Sequence, residues 1–156
     1  KKLASIENIK GVKYTAPTHF NFSKIKKEIS DDFKIYSGMD EMALSGIISG
    51  ADGMIGSFYN LMPEMFVNLF SQLQKGQINE AKKTQEKINI IIVYALEKSG
   101  YPFIKMGMNW LGIDSGYVRR PFVSITDTDV ENEIKKDLKI LSKENDLSGI
   151  KFLEGL

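Results

Sequence analysis

Three short apolar runs, Gly11–Thr15, Phe33–Ser37 and Gly53–Ser57, limit what this chain can fold into more than any other feature. Each is β-prone and lacks the polar-apolar alternation of a strand with one wet face, so each reads as a parallel strand buried on both faces. Between the first two, the segment from Phe20 to Ile29 sets Phe22, Ile25 and Ile29 at helical spacing. Between the second and third, Glu41 to Ser49 carries Met42, Leu44, Ile47 and Ile48, with Gly50 as a helix stop. Strand and helix alternate at about 20 residues per step, the βαβ pattern of a parallel sheet.

After Asn60 the character turns helical. Pro63 suits a first turn, followed by Met65, Phe66, Leu69, Phe70 and Leu73 up to Gly76. A longer helix is expected from Ile78 to Ser99, broken by Gly100 and Pro102, and a short one from Phe103 to Leu111. Thr128-Asp129-Val130-Glu131 has the form of a capping box and opens a last helix along Val130, Ile134, Leu138 and Leu141. No low-complexity segment or linker divides the chain. Three parallel strands followed by helices leave two sheet edges unpaired, which points to part of a larger sheet. A (β/α)8 barrel takes about 250 residues, and a chain of 156 suits its closing portion. The expected fold is therefore α/β, the C-terminal part of a (β/α)8 TIM barrel with its last three strands. Residues 1–60 would form the closing βα units, and 61–156 the last barrel helix and a C-terminal helical extension of the same domain. The opening Lys1-Lys2-Leu3, without initiator methionine or signal-peptide pattern, reads as a chain already under way.

Composition narrows the chemistry. Lys and Arg number 21 against 20 Asp and Glu, a net charge of +1 that speaks against nucleic acid or an anionic membrane as partner. With no cysteine, disulfide and thiolate-metal sites are excluded and a cytoplasmic setting is expected. The single His19 rules out a histidine-rich metal site, and no apolar run reaches the roughly 20 residues needed to cross a bilayer.

In a βα barrel, chemistry gathers at the carboxyl ends of the strands. Lys13 lies inside the apolar run Gly11-Val12-Lys13-Tyr14-Thr15 and shares a face with Thr15. A lysine held out of water loses its proton more readily and becomes an amine nucleophile able to form a Schiff base with a carbonyl; the alternative is a lysine on the solvent face of a half-buried strand. The second run ends Ser37-Gly38-Met39-Asp40-Glu41, with two carboxylates at the strand-to-helix turn. These serve either a ligand or the positive end of the next helix. The third ends Gly56-Ser57-Phe58-Tyr59-Asn60, whose hydroxyls and amide are either site or turn residues. All three clusters would meet at one mouth. His19 is expected in a solvated loop, Met39, Met42, Met54, Met62 and Met65 in helix packing, and Arg119-Arg120 in a loop ion pair.

At these positions the chain resembles a known family. Gly-Val-Lys-Tyr-Thr (11–15), Tyr-Ser-Gly-Met-Asp-Glu (36–41) and Gly-Ala-Asp-Gly-Met-Ile-Gly-Ser-Phe-Tyr-Asn (50–60) are similar to the closing strands of the N-acetylneuraminate lyases, within the superfamily that includes dihydrodipicolinate synthase. Gly112-Ile113-Asp114-Ser115-Gly116-Tyr117, running into Arg120-Pro121, resembles the same family's C-terminal region. The resemblance covers most of the chain in consistent order. It implies a class I aldolase that reversibly cleaves N-acetylneuraminate to pyruvate and N-acetylmannosamine with no metal or cofactor beyond a covalent Schiff base at Lys13. Thr15 would lie beside the reacting hydroxyl, and Gly38, Asp40, Glu41, Gly56 and Ser57 would hold the sugar. Tyr101 would close the pocket, at a spacing one residue shorter than the family's.

The resemblance also implies residues this chain does not carry: a Gly-x-Thr-Gly-Glu-type loop for the pyruvate carboxylate and a proton-transferring tyrosine, both expected before Lys1. The N-terminal half of the barrel would then be a required partner, and a homo-oligomer, commonly a tetramer in the family, is expected. Competing readings are another pyruvate-dependent aldolase with a different acceptor aldehyde, or a non-catalytic sugar-binding or assembly fragment.

Overall fold

β1 (Gly11–Tyr14), β2 (Lys34–Ser37) and β3 (Gly53–Met54) pair in parallel in the order β1-β2-β3, with Lys13 opposite Tyr36 and Tyr36 opposite Gly53. This is the α/β sheet anticipated from the three apolar runs. The computed structural model describes residues 1–156. α1 (Asn21–Glu28) joins the first two strands, and a 3-10 turn (Asp40–Met42) with α2 (Ala43–Ile48) joins the next two. A second 3-10 turn (Phe58–Asn60) precedes α3 (Pro63–Gln74), α4 (Ile78–Lys98), α5 (Tyr101–Trp110), α6 (Thr128–Glu144) and α7 (Lys151–Glu154). The chain divides into two compact units: Lys1–Gly56 with Leu69–Gln85, and Ser57–Asn68 with Glu86–Leu156.

In the first unit one sheet face is covered. Tyr14 meets Phe22 of α1 edge-on at 5.2 Å between ring centres, and Ile35 and Ser37 are fully buried. A Cβ on Gly46 of α2 would stand 2.3 Å from the Ser37 hydroxyl, so this helix crosses β2 too closely for any other residue. The opposite face carries Lys13, Thr15 and Lys34, all exposed. Within residues 1–156 only one face of the strands is covered. Gly11, Tyr36, Gly38 and Gly53 occupy the open face and, being apolar or small, mask its alternation in the sequence.

The Asp52 side chain fixes the other end of the sheet. Its carboxylate accepts the Ile35 N–H at 2.8 Å and the Lys26 and Lys34 ammonium groups at 2.8 and 3.5 Å, while its own N–H donates to the Ile35 carbonyl. Burial opposes ionisation of Asp52, but the Lys26 and Ile35 hydrogen bonds and the two lysine charges outweigh it and hold the carboxyl below its usual range.

The second unit is helical. Phe103 is fully buried, with the rings of Tyr94, Trp110 and Phe152 edge-on at 6.0, 6.2 and 6.3 Å. Gly107 leaves room for Leu61, whose Cδ1 would lie 2.6 Å from an added Cβ. Gly100, at φ +66°, precedes α5, and Pro102 sits within that helix's first turn, where its missing N–H costs nothing. The cap of α6 is Asp127, one residue before the expected capping box: its carboxylate accepts the Asp129 and Val130 N–H groups. Glu131, freed from capping, accepts the Trp110 indole N–H at 2.8 Å and pairs with Lys135. α7 was not anticipated; four residues are too few to show a period, and its Lys151 N–H is satisfied by Glu64 at 2.9 Å. Neither Arg119 nor Arg120 forms the expected ion pair, because no carboxylate lies within reach.

Candidate active site

Lys13 and Thr15 share the open sheet face because strand side chains alternate. Both reach toward Gly38, just beyond the end of β2, whose N–H continues the ladder by donating to the Tyr14 carbonyl at 2.9 Å. An ideal Cβ on Gly38 would fall 2.2 Å from Thr15 Oγ1, 2.8 Å from Lys13 Cε and 3.0 Å from Lys13 Cγ. The lysine stem and the threonine hydroxyl thus converge over one glycine. A cavity of about 300 Å³ on the same face lies toward the beginning of the strands, lined by Lys10, Gly11, Val12, Lys13, Lys34 and Tyr36, and reaches neither Thr15 nor Gly38. The Lys13 side chain is exposed, so the burial suggested by its apolar neighbours is not supplied within this unit. β1 stands at one side of the three-stranded sheet.

Tyr14, between these two residues, points the other way. Its hydroxyl sits 2.5 Å from Thr18 Oγ1 and accepts the Asn21 amide at 2.8 Å, tying the end of β1 to the start of α1. The Thr18 and Asn21 bonds hold the phenol below the usual tyrosine range. The sequence reading missed this network, for which the only signal was a threonine and an asparagine closely following the strand.

Asp40 and Glu41 both lie in the 3-10 turn but are not equivalent: Asp40 is buried and Glu41 exposed. The turn is held from α4 by Gln85, whose amide donates to the Asp40 carbonyl at 3.2 Å and accepts the Leu44 N–H at 2.8 Å. No local pattern announces a partner this far along the chain. Gly56 follows β3, where Ile55 extends the ladder to the Ser37 carbonyl at 2.8 Å. In the second unit, Ser57 precedes the 3-10 turn and its carbonyl accepts the Asn60 amide. Tyr101 there is 54% exposed, with its ring edge-on to Phe122 at 5.2 Å. No group of three His, Asp or Glu side chains is arranged to hold a metal ion, and no helix is long and apolar enough to cross a membrane.

His19 is not the solvated loop residue expected from sequence. It is 4% exposed, stacked on Phe22 at 5.0 Å, with Nδ1 3.0 Å from the Ser45 hydroxyl and Nε2 without a partner. A compact loop after β1 folds the ring under α2, which a one-dimensional reading cannot show. Burial pushes the imidazole below the usual histidine range. The unfolded chain then binds a proton more readily than the folded one, so stability falls as pH drops below the unfolded value of about 6.5. In thermal melts between pH 7.5 and 5, wild type is expected to lose melting temperature more steeply than His19→Gln. Parallel curves would exclude His19 as the titrating group.

The model of the dihydrodipicolinate synthetase family matches residues 1–141. This chain belongs to that family. Among solved structures, the chain is similar to N-acetylneuraminate lyase from Fusobacterium nucleatum complexed with pyruvate, at 33% identity and a TM-score of 0.75 over 87% of this chain and 47% of that one. It is similar to CdNal from Clostridium difficile in complex with mannosamine, at 29% identity and a TM-score of 0.77, covering 92% of this chain and 48% of the other. A catalytic-lysine mutant of the Ruminococcus gnavus sialic acid aldolase matches at 26% identity and a TM-score of 0.76, with 92% and 48% covered. The family member described here spans about half the length of these structures. Its three strands and trailing helices correspond to part of the family's barrel.

Proposed function

We propose that this chain carries the lysine-bearing part of a pyruvate-dependent class I aldolase, and that its substrate is N-acetylneuraminate, cleaved reversibly to pyruvate and N-acetylmannosamine. The observation that supports this most is the convergence of Lys13 and Thr15 over Gly38 at the carboxyl end of a parallel sheet. Family membership and the likeness to proteins determined with pyruvate and with mannosamine support the substrate class.

In the proposed reaction the neutral Lys13 amine adds to the keto carbon, and loss of water leaves a protonated imine. A proton then leaves the hydroxyl on the carbon two removed from the imine, beside Thr15. The carbon-carbon bond between that carbon and the intervening methylene breaks, releasing the aldehyde. The electron pair of that bond is taken up through the imine as an enamine. Protonation of the enamine carbon and hydrolysis return pyruvate and the free amine. Gly38, Asp40, Glu41, Gly56 and Ser57 would meet the polyhydroxylated chain, where a site built to pair hydroxyls rejects ligands that lack them, and Tyr101 would close the pocket. The reading assigns carboxylate binding and a proton-transferring tyrosine to the N-terminal half of the barrel, and places a homo-oligomer in the cytoplasm.

Borohydride trapping of the complete protein with pyruvate, followed by peptide mass mapping, tests this. The expected adduct is on the peptide holding Lys13. Attachment to another lysine, or none, would sink the assignment. Offering N-acetylmannosamine and aspartate semialdehyde as acceptors in the reverse direction separates the lyase from other pyruvate-dependent aldolases.

A further inference from the structure

The open sheet face is built so that long side chains lean over glycines of the next strand. Tyr36 does so over Gly53, where an added Cβ would lie 3.1 Å from the ring. Lys13 does so over Gly38, together with Thr15. We propose that Gly38 is a positioning residue: its missing side chain is the slot that sets the direction of the Lys13 amine and of the Thr15 hydroxyl, independently of any contact with sugar. The proposal rests on the reading of Lys13 as the imine-forming lysine.

The distances carry the argument. Ordinary van der Waals contact for a Cβ begins at 3.4 Å, whereas a Cβ here would meet Thr15 Oγ1 at 2.2 Å and two atoms of the Lys13 stem at 3.0 Å or less. No positive φ requires glycine at this position, so backbone conformation does not explain it. The atoms in the way belong to side chains, and the Gly38 N–H remains bonded to the Tyr14 carbonyl. An added methyl is therefore accommodated by pushing Lys13 and Thr15 aside rather than by parting the strands. Displacements of about 1 Å at a reacting group cost up to 10²-fold in rate.

A glycine that only contacts sugar and a glycine that aims the lysine differ in one measurable respect. Imine formation with pyruvate involves no sugar, so it reports on Lys13 alone. In the complete protein, Gly38→Ala is expected to slow pyruvate trapping at Lys13 by at least about tenfold, with a melting temperature close to wild type. Unchanged pyruvate trapping, with only the KM for the sugar acid raised, would overturn the proposal. Should wild type fail to trap pyruvate at Lys13, the functional reading fails first, and the two failures are thereby told apart. Should Gly38→Ala unfold, Thr15→Ala/Gly38→Ala removes the tightest contact and is compared with Thr15→Ala alone. The remaining clash with the Lys13 stem is expected to slow trapping several-fold, and equal rates would overturn the proposal.

Discussion

In the complete protein, Lys13→Ala is expected to lower cleavage of N-acetylneuraminate by on the order of 10⁴-fold or more, because without the amine there is no imine to take up the electrons of the breaking bond. Lys13→Arg is expected to be equally inactive: a guanidinium stays protonated at any working pH and cannot add to a carbonyl. In the 156-residue chain, where the side chain is exposed on an open sheet face, the stability of Lys13→Ala should stay within about 0.5 kcal/mol of wild type. Loss of turnover with an unchanged melting curve separates chemistry from folding. Turnover of Lys13→Ala within tenfold of wild type would leave the chain as a binding or assembly part of the barrel.

The largest expected effect on stability lies in the second unit. Phe103 is fully buried among Tyr94, Trp110 and Phe152, with the three ring pairs meeting edge-on. Truncation removes the ring's transfer energy and leaves a cavity that neighbouring aromatic rings are too rigid to fill, at a cost of about 3–5 kcal/mol. For a chain of this length that corresponds to a melting temperature lower by roughly 10 °C. Phe103→Leu keeps most of the volume and should lose less than half as much. Urea titration checks both, with an unchanged slope and a lower midpoint. A loss below about 1 kcal/mol for Phe103→Ala would show that the cluster is not the unit's core.

The sequence made the strand order, the parallel pairing and the helical remainder legible because period and turn residues are local signals. The convergence of Lys13 with Thr15 was legible too, through the two-residue repeat. What it did not disclose depends on distance along the chain. Gln85 reaches back to the Asp40 turn from α4, and His19 is covered by a helix that begins well after it. The open sheet face was hidden for a different reason: Gly11, Tyr36, Gly38 and Gly53 look like core residues when read in line. The cap of α6 moved by one residue because two adjacent positions, Asp127 and Thr128, both offer an oxygen acceptor, and the carboxylate prevailed. Gly38 itself was read as a sugar contact, since nothing in a sequence reports how far a Cβ would stand from a neighbour's side chain.

The Asp52 clasp separates two jobs that a small sheet usually has to share. It pins β2 against β3 where the strands begin, through the Ile35 N–H and carbonyl and two lysines, while Lys13, Thr15 and Gly38 sit where the strands finish. Register and chemistry are therefore inherited at opposite ends. On the proposed function, substitutions around Asp40 and Glu41 would alter the sugar contacts while leaving the clasp in place. A change at Asp52, at the other end of the strands from Lys13 and Thr15, would instead loosen the register of β2 against β3.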